Sequence, residues 1–218
     1  NLVDKERSVC ELEKARSREP VDRELELPRV PGQKHQSIWS GPANPENAFD
    51  VRALLPFDDG GGPALYVAGD FPGFDGVSAK YIARWNGSSW SSVAGGVTTP
   101  AYALTVLDDG NGPALYAAGS FKFAGGVAVN SVAKWDGSVW SALGLGMGGP
   151  TKPSVNALAV FDDGTGLALY AGGDFTIAGG VTAHRVAKWN GHNWSPLGSG
   201  VEQGSVNALA VFDDGSGP

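Results

Sequence analysis

One pattern recurs at nearly regular intervals along the chain and constrains its fold more than any other feature. An apolar residue followed by Asp-Asp-Gly occurs four times, at residues 57–60, 107–110, 161–164 and 212–215. The starts of these segments are 50, 54 and 51 residues apart. A period of this length is typical of proteins in which similar units pack against one another in chain order. We therefore predict a repeat architecture rather than a string of independent domains.

Paired tryptophans mark each unit, and their spacing shows which part of the unit is constant. The same separation of 36 residues links a leucine to the second tryptophan three times, at Leu54 and Trp90, Leu104 and Trp140, and Leu158 and Trp194. The segments that lead from a second tryptophan to the next leucine span 15, 14, 18 and 15 residues, the first of them starting at Trp39. Length therefore varies only where one unit joins the next.

Each unit reads as four short strands, as the third unit shows. An apolar run at 155–161, the breaker run 162–166 and a second apolar run at 169–173 predict a hairpin whose first strand is buried on both faces. After a glycine-containing loop, 185–189 and 194–197 predict two further strands joined at Asn190-Gly191, where we expect positive φ angles. About 50 residues cannot bury a core alone, so the units are expected to stack with their tryptophans between the sheets.

The same residues carry a resemblance to a known family. Tyr-Ala-Gly-Gly at 170–173, followed by Trp189 and Trp194, resembles the kelch motif of kelch-type β-propellers. The sequence of residues 171–191 is also similar to repeats of large secreted bacterial repeat proteins and of the fungal cortical polarity marker ectodomain. The resemblance implies an all-β, kelch-like β-propeller of four-stranded antiparallel blades over residues 38–218. With three whole units and two fragments, we expect an incomplete ring and a piece of a longer chain.

The first 37 residues differ in composition from the rest. Residues 1–38 hold 16 of the 39 charged side chains, eight of each sign, and no aromatic residue. Prolines at 20, 28 and 31 rule out a long helix. We predict that residues 1–37 form a charged arm, partly helical or disordered. The single cysteine of the chain, Cys10, lies in this arm and excludes an internal disulfide.

Composition excludes several classes of function. No apolar run approaches the roughly 18 residues of a membrane span, and the net charge of −7 without a basic cluster disfavours nucleic acid. The Asp-Asp-Gly segments could bind calcium, but identical copies in every unit favour a capped turn. His184 and His192 lack a second ligand at a supporting spacing. We predict no catalytic, cofactor-binding or metal-binding residue and no enzyme activity.

Sequence variation between matching units is the better guide to binding. The loop from second to third strand and the connection to the next unit emerge on one face and differ between units, as binding loops on a rigid scaffold do. The candidate residues on these loops are Asp70, Phe74, Lys80, Tyr81, Lys122, Phe123, Asn130, Asp174, His184 and Arg185.

These features favour a non-catalytic binding or interaction module of a secreted or cell-surface protein, of bacterial type by its resemblance. The sequence leaves open whether the ligand is a protein or a glycan. A structural spacer, or the scaffold part of an enzyme whose catalytic residues lie outside these residues, is the alternative. Unpaired blade edges also predict self-association.

Overall fold

The computed structural model describes residues 49–149 and 152–211. The predicted arm at 1–37 and the fourth-strand fragment around Trp39 lie outside the described residues. Within them the chain is all β, without helices, and its sheets are open rather than closed into a barrel.

Each of the three units contributes one sheet and one short hairpin. The first unit contains β1 (Asp50–Asp58), β2 (Pro63–Asp70), β3 (Gly73–Phe74), β4 (Val77–Ser78), β5 (Ile82–Trp85) and β6 (Trp90–Ser92). The second contains β7 (Ala101–Asp108), β8 (Pro113–Gly119), β9 (Phe123–Ala124), β10 (Val127–Ala128), β11 (Val132–Trp135) and β12 (Trp140–Ala142). After β13 (Met147–Gly148), the third contains β14 (Ser154–Asp162), β15 (Leu167–Asp174), β16 (Ile177–Ala178), β17 (Val181–Thr182), β18 (Val186–Trp189) and β19 (Trp194–Pro196).

The four main strands of each unit, apart from its short hairpin, form an antiparallel sheet in chain order, as the sequence predicts. Sheet 1 has the order β1-β2-β5-β6, sheet 2 the order β7-β8-β11-β12 and sheet 3 the order β14-β15-β18-β19. The loop expected between the second and third strands is itself a small hairpin in every unit. In the third unit this hairpin pairs with β13, and in the second Ala124 forms a bridge to Val97. The hairpins of the second and third units thus fasten their units to the connections before them.

The core lies between successive sheets. One apolar cluster joins sheets 1 and 2 and includes Tyr66, Leu115 and Trp140, and a second joins sheets 2 and 3. The prediction that Trp140 and Trp194 lie between sheets is confirmed, because they are 4% and 6% exposed. Their indole Nε1–H groups donate to main-chain carbonyls of the preceding connection, Trp140 to Val93 at 3.0 Å and Trp194 to Leu143 at 2.8 Å.

The predicted capped turns are confirmed at the three Asp-Asp-Gly segments that the structure describes. In the first unit, Oδ1 of Asp58 accepts hydrogen bonds from the amides of Gly60 at 2.9 Å and Gly62 at 3.0 Å. Gly60 has a φ of +92°, which residues with a Cβ rarely adopt. The equivalent aspartates of the other two units, Asp108 and Asp162, make the same bonds. The first aspartate therefore shapes the hairpin.

The turn between the third and fourth strands differs from the expectation. Gly191 has the predicted positive φ of 95°, but Asn190 does not share it. Instead Oδ1 of Asn190 accepts hydrogen bonds from the amides of His192 and Asn193, at 3.0 and 2.8 Å. The turn is a four-residue loop capped by the asparagine side chain, because the strands pair from Trp189 to Trp194 and leave residues 190–193 outside the ladder.

The first strand of sheet 3, β14, is less buried than the sequence predicts. Val155 and Ala157 of β14 are buried, but most other positions of this strand are only half-buried. The repeat also predicts the first strand of a further unit at 206–212. Its described part, residues 206–211, forms no strand, although the amide of Val206 donates to the carbonyl of Gly173 at 3.1 Å. The described residues hold no second strand with which it could form a ladder.

Among residues 49–149 and 152–211, no helix is long and apolar enough to cross a bilayer.

Candidate binding face

A β-bulge interrupts the first strand of every sheet at the same repeat position. The pairing of β1 with β2 shifts between Val51 and Ala53, and the same shift occurs in β7 and β14. The extra residue at the bulge is Arg52, Tyr102 or Asn156. A bulge bends the strand and re-aims a side chain, and it is common beside functional sites.

Residues at this repeat position meet in two pairs, Arg52 with Tyr102 and Asn156 with Asn207. The guanidinium carbon of Arg52 lies 4.8 Å from the ring centroid of Tyr102, within the range of a cation–π contact. Nδ2 of Asn156 donates to Oδ1 of Asn207, the residue at the same repeat position in segment 206–211, at 3.0 Å. We refer to Arg52, Tyr102, Asn156 and Asn207 as the bulge row.

Hydroxyl and carboxylate groups surround the first half of the bulge row. Asp50 forms a 3.0 Å ion pair with Arg52, and both side chains are well exposed. The hydroxyl oxygens of Tyr102 and Ser120 lie 3.2 Å apart, and that of Ser120 is also 3.2 Å from Thr99 Oγ1. These groups form one polar network that spans the join between sheets 1 and 2.

A second network surrounds the other half. The hydroxyl of Ser154 donates to Oδ1 of Asn156 at 2.9 Å. Nδ2 of Asn156 donates to Oγ of Ser205 at 2.9 Å and contacts the carbonyl of Val206 at 3.5 Å. Asn156 thus satisfies both ends of its amide and tethers segment 206–211 to sheet 3.

Two of the sequence-predicted candidates lie directly beside the bulge row. Asp70 is the cross-strand partner of Asp50, and Asp174 is the partner of Ser154. Asp70 is exposed and Asp174 half-buried. Both carboxylates therefore stand at the sheet end that carries the bulges.

Three other candidates hold the scaffold together. Nδ2 of Asn130 donates to the carbonyl of Leu145 at 2.9 Å, which fixes the connection after sheet 2. The guanidinium of Arg185 binds three main-chain carbonyls of the connection after sheet 3, those of residues 201, 202 and 204. The ring of Phe74 stacks on Trp90, with centroids 4.3 Å apart and planes 14° apart. These side chains are already engaged within the fold.

The remaining candidates lie on the hairpins or next to them. Lys80, Lys122, Phe123 and His184 are exposed, and Tyr81 is half-buried. Lys80 and Tyr81 have φ angles of 43° and 74°, so the chain turns sharply there.

Sequence reasoning found these loops but missed the bulge row. The available signal was the residue two positions before each Leu54-type leucine, which changes from arginine to tyrosine to asparagine while its neighbours stay apolar.

A different polar cluster occupies the opposite end of each sheet. In the first unit, Oδ2 of Asp59 accepts hydrogen bonds from the hydroxyl of Tyr66 and, at 3.3 Å, from the indole of Trp135 in the next unit. Arg84 lies 3.5 Å from Oδ1 of the same carboxylate. In the second unit, Tyr116 and Lys134 bind Asp109, and in the third, Tyr170 and Lys188 bind Asp163.

We refer to the second aspartate of each turn, with the tyrosine and the basic residue that bind it, as a triad. Hydrogen bonds and nearby positive charge favour the ionised form of the carboxylate in each triad. Burial opposes ionisation of Asp59, but hydrogen bonds from Tyr66 and Trp135 outweigh it and hold the pKa of this carboxyl below its usual value. The pKa of Asp109 is lowered in the same way, with Lys134 as the main partner against the effect of burial. Burial and the adjacent Asp59 raise the pKa of Tyr66. With its carboxylate fully engaged, each triad fastens a turn rather than offering a free group.

The triads were also missed in the sequence, although a constant spacing marks them. Asp59 and Arg84, Asp109 and Lys134, and Asp163 and Lys188 are each 25 residues apart.

Within the described ranges, no three histidine, cysteine, aspartate or glutamate side chains group in a way that could hold a metal ion. Comparisons of the chain with protein-family models, with curated proteins and with solved structures find no match.

Proposed function

We propose that residues 38–218 are blades of an open, kelch-like β-propeller that serves as a non-catalytic binding module of a secreted or cell-surface repeat protein. Three features support the propeller: four-stranded antiparallel sheets, tryptophans packed between successive sheets, and first strands that neighbour one another. These are the features expected of blades around a common axis.

The observation that carries the binding function is the contrast between a constant scaffold and a variable row. The capped turns, the tyrosine of each triad and the paired tryptophans repeat from unit to unit. The bulge position holds arginine, tyrosine and asparagine in the three units that have a bulge, yet its backbone geometry stays the same. A fixed backbone with changing side chains is the arrangement of a recognition surface.

The chemistry of the bulge row suits binding better than catalysis. Asparagine and serine side chains donate and accept hydrogen bonds but do not exchange protons near neutral pH. Arginine stays protonated, so Arg52 is a poor general base. Arg52 and Asn207 of the row are exposed and Tyr102 and Asn156 are half-buried, whereas catalytic groups need a site that excludes water.

The experiment that tests this proposal is a screen of the 218-residue chain against glycan and extracellular-protein arrays, followed by the double variant Tyr102→Ala/Asn156→Ala. We expect specific binding that the double variant loses by at least about tenfold. A matched double variant at the opposite sheet end, Asn111→Ala/Asn193→Ala, should bind normally. Absence of any specific ligand would contradict the proposal.

A structural spacer is the second candidate, favoured by the regular joints between units. The tryptophan-to-carbonyl hydrogen bonds recur at both described joints, and Arg185 braces the next connection. A spacer predicts no specific ligand. The array screen therefore separates the two functions.

A further inference from the structure

We infer that the repeat region binds a second copy of the same chain head to tail, with sheet 1 of one copy packed against the end of the third unit of the other. This contact repeats the joint that links neighbouring units within the chain. Its basis is that the two outer ends of the described repeat region carry the two halves of that joint. It does not depend on a ligand at the bulge row, so its failure leaves the proposed function standing.

Each joint within the chain has the same parts. The earlier unit contributes two apolar residues four positions apart, the first of which also supplies its carbonyl oxygen; these are Val93 and Val97 at the first joint and Leu143 and Met147 at the second. All four are at most 3% exposed. The later unit contributes the indole N–H of Trp140 or Trp194, which donates to that carbonyl. A joint therefore needs an acceptor end on one unit and a donor face on the next.

The third unit carries an acceptor end without a donor among the described residues. Leu197 and Val201 stand at the two repeat positions that supply the acceptor end of each inner joint. The amide of Gly200 donates to the carbonyl of Leu197 at 3.0 Å and that of Val201 to the carbonyl of His184 at 2.9 Å, as the equivalent amides do at both inner joints. Leu197 is nevertheless half-buried and Val201 is 39% exposed. This acceptor end is formed, but no described residue covers it as the inner ones are covered.

Sheet 1 carries a donor face without an acceptor among the described residues. Nε1 of Trp90 is buried there and has no hydrogen-bond partner, which costs free energy. Leu54 is 50% exposed, and Leu65 and Trp85 are half-buried. The residues equivalent to Leu65 and Trp85 in sheets 2 and 3 are at most 7% exposed. The acceptor end of another unit of the same repeat would supply both the missing carbonyl and the missing apolar cover.

Docking replaces two contacts that each copy makes alone. Segment 206–211 lies beside β14, but it forms no ladder and most of its residues are exposed. Strand β1 of the second copy carries the same valine, alanine and leucine at the same spacing, so it can take the place of this segment. Phe74 stacks on Trp90 and stands where the other units have alanine, so its ring turns aside when the carbonyl arrives.

The two surfaces in this contact differ, so the contact is heterologous. Each copy in a pair keeps one unused surface, either its donor face or its acceptor end. Further copies can therefore add in one direction, into a ring or a filament. A contact between two like faces would instead stop at a dimer.

The test uses two variants of the full 218-residue chain that each block one surface. Leu54→Glu places a carboxylate on the donor face and Val201→Glu places one at the acceptor end, where burial of an unpaired charge opposes the contact. In light scattering we expect the unchanged chain to gain mass with concentration and each variant alone to have the mass of one chain. Mixed in equal amounts, the two variants should form a dimer with one copy of each, because one supplies an intact acceptor end and the other an intact donor face.

Matched controls place the same charge elsewhere. Val139→Glu and Leu167→Glu, at residues of the second and third units that are 58% and 59% exposed, should associate like the unchanged chain. Trp90→Phe, combined with Val201→Glu, removes the indole N–H and keeps an aromatic ring, and it should weaken the mixed dimer by several-fold. Thermal midpoints close to that of the unchanged chain establish that the variants are folded.

Two results overturn the inference. A monomeric unchanged chain shows that another part of the same chain, or nothing, covers the donor face. An equal mixture of Leu54→Glu and Val201→Glu that stays monomeric shows that the copies do not meet head to tail.

Discussion

At the residue scale, the two aspartates of each Asp-Asp-Gly segment have separate tasks. Asp58 caps its own turn through main-chain amides. Asp59 points back along the sheet to Tyr66 and reaches Trp135 of the next unit. The sequence predicts the first task, because capping is local. It does not predict the second, because an ion pair between residues 25 apart depends on how the strands pair.

The triads predict how stability depends on pH. The folded pKa values of Asp59 and Asp109 lie below the unfolded value of roughly 3.9. Their contribution is therefore complete above the unfolded pKa and is lost as the pH falls through that value towards the folded pKa. We expect the urea midpoint of the chain to fall between about pH 5 and pH 2.

The double variant Asp59→Asn/Asp109→Asn checks the origin of this dependence. It should be less stable than the unchanged chain at pH 7, and the difference should shrink at pH 3, because that pH lies below the unfolded pKa of roughly 3.9 and these carboxyls are then mostly protonated in the unfolded chain. Glu202→Gln, an exposed carboxylate outside the triads, serves as the control. An equal difference at both pH values would assign the acid sensitivity to other groups.

At the element scale, the unit is a sheet that depends on its neighbours. Strand order, the capped turns and the burial of the tryptophans could all be predicted from spacing and residue type. The bulges and hairpins could not, because both depend on register. A shift at Val51/Ala53 leaves no mark on composition, and a hairpin of two-residue strands such as β9–β10 is too short to show periodicity. The varying residue two positions before Leu54 and its repeat equivalents marks this place in the sequence, but only the strand register shows that it is a bulge.

Truncation of a tryptophan between sheets tests how strongly the units depend on one another. Trp194→Ala removes a side chain that is 6% exposed, together with its hydrogen bond to Leu143. We expect a loss of about 3–5 kcal/mol in the free energy of unfolding, measured by urea denaturation. Trp85→Ala, at a half-buried position on the face of sheet 1 that no described sheet covers, should cost less. Equal losses would show that burial between sheets is not the source of the stability.

At the scale of the described repeat region, the open surface is a sheet face rather than a strand edge. Leu54 on sheet 1 is 50% exposed, whereas Leu104 and Leu158, at the same repeat position, pack against the neighbouring clusters. The indole nitrogen of Trp90 is buried without a hydrogen-bond partner among the described residues. The outer strands β6, β12 and β19 have only three residues each, and short edges recruit other chains poorly.

This arrangement refines the expected self-association. We predict that the 218-residue chain associates through the face that contains Leu54, because no described residue range covers this apolar face in the way that its repeat equivalents are covered. Leu54→Glu should lower the average mass measured by light scattering. Val139→Glu, the same change at a 58% exposed residue on a turn of sheet 2, should not. A monomeric unchanged chain would contradict the prediction.

The joint between units has a consequence for how such a chain can lengthen. Each described joint takes its indole donor from the later unit and its carbonyl acceptor from the third residue after the earlier unit's second tryptophan. The stretch of variable length comes after that acceptor, so the joint tolerates connections of 14 and of 18 residues. A duplicated segment of about 50 residues therefore brings one donor and one acceptor with it. Tandem copying can add a unit without any compensating change elsewhere, and each copy adds one more bulge position where a new side chain can be tried.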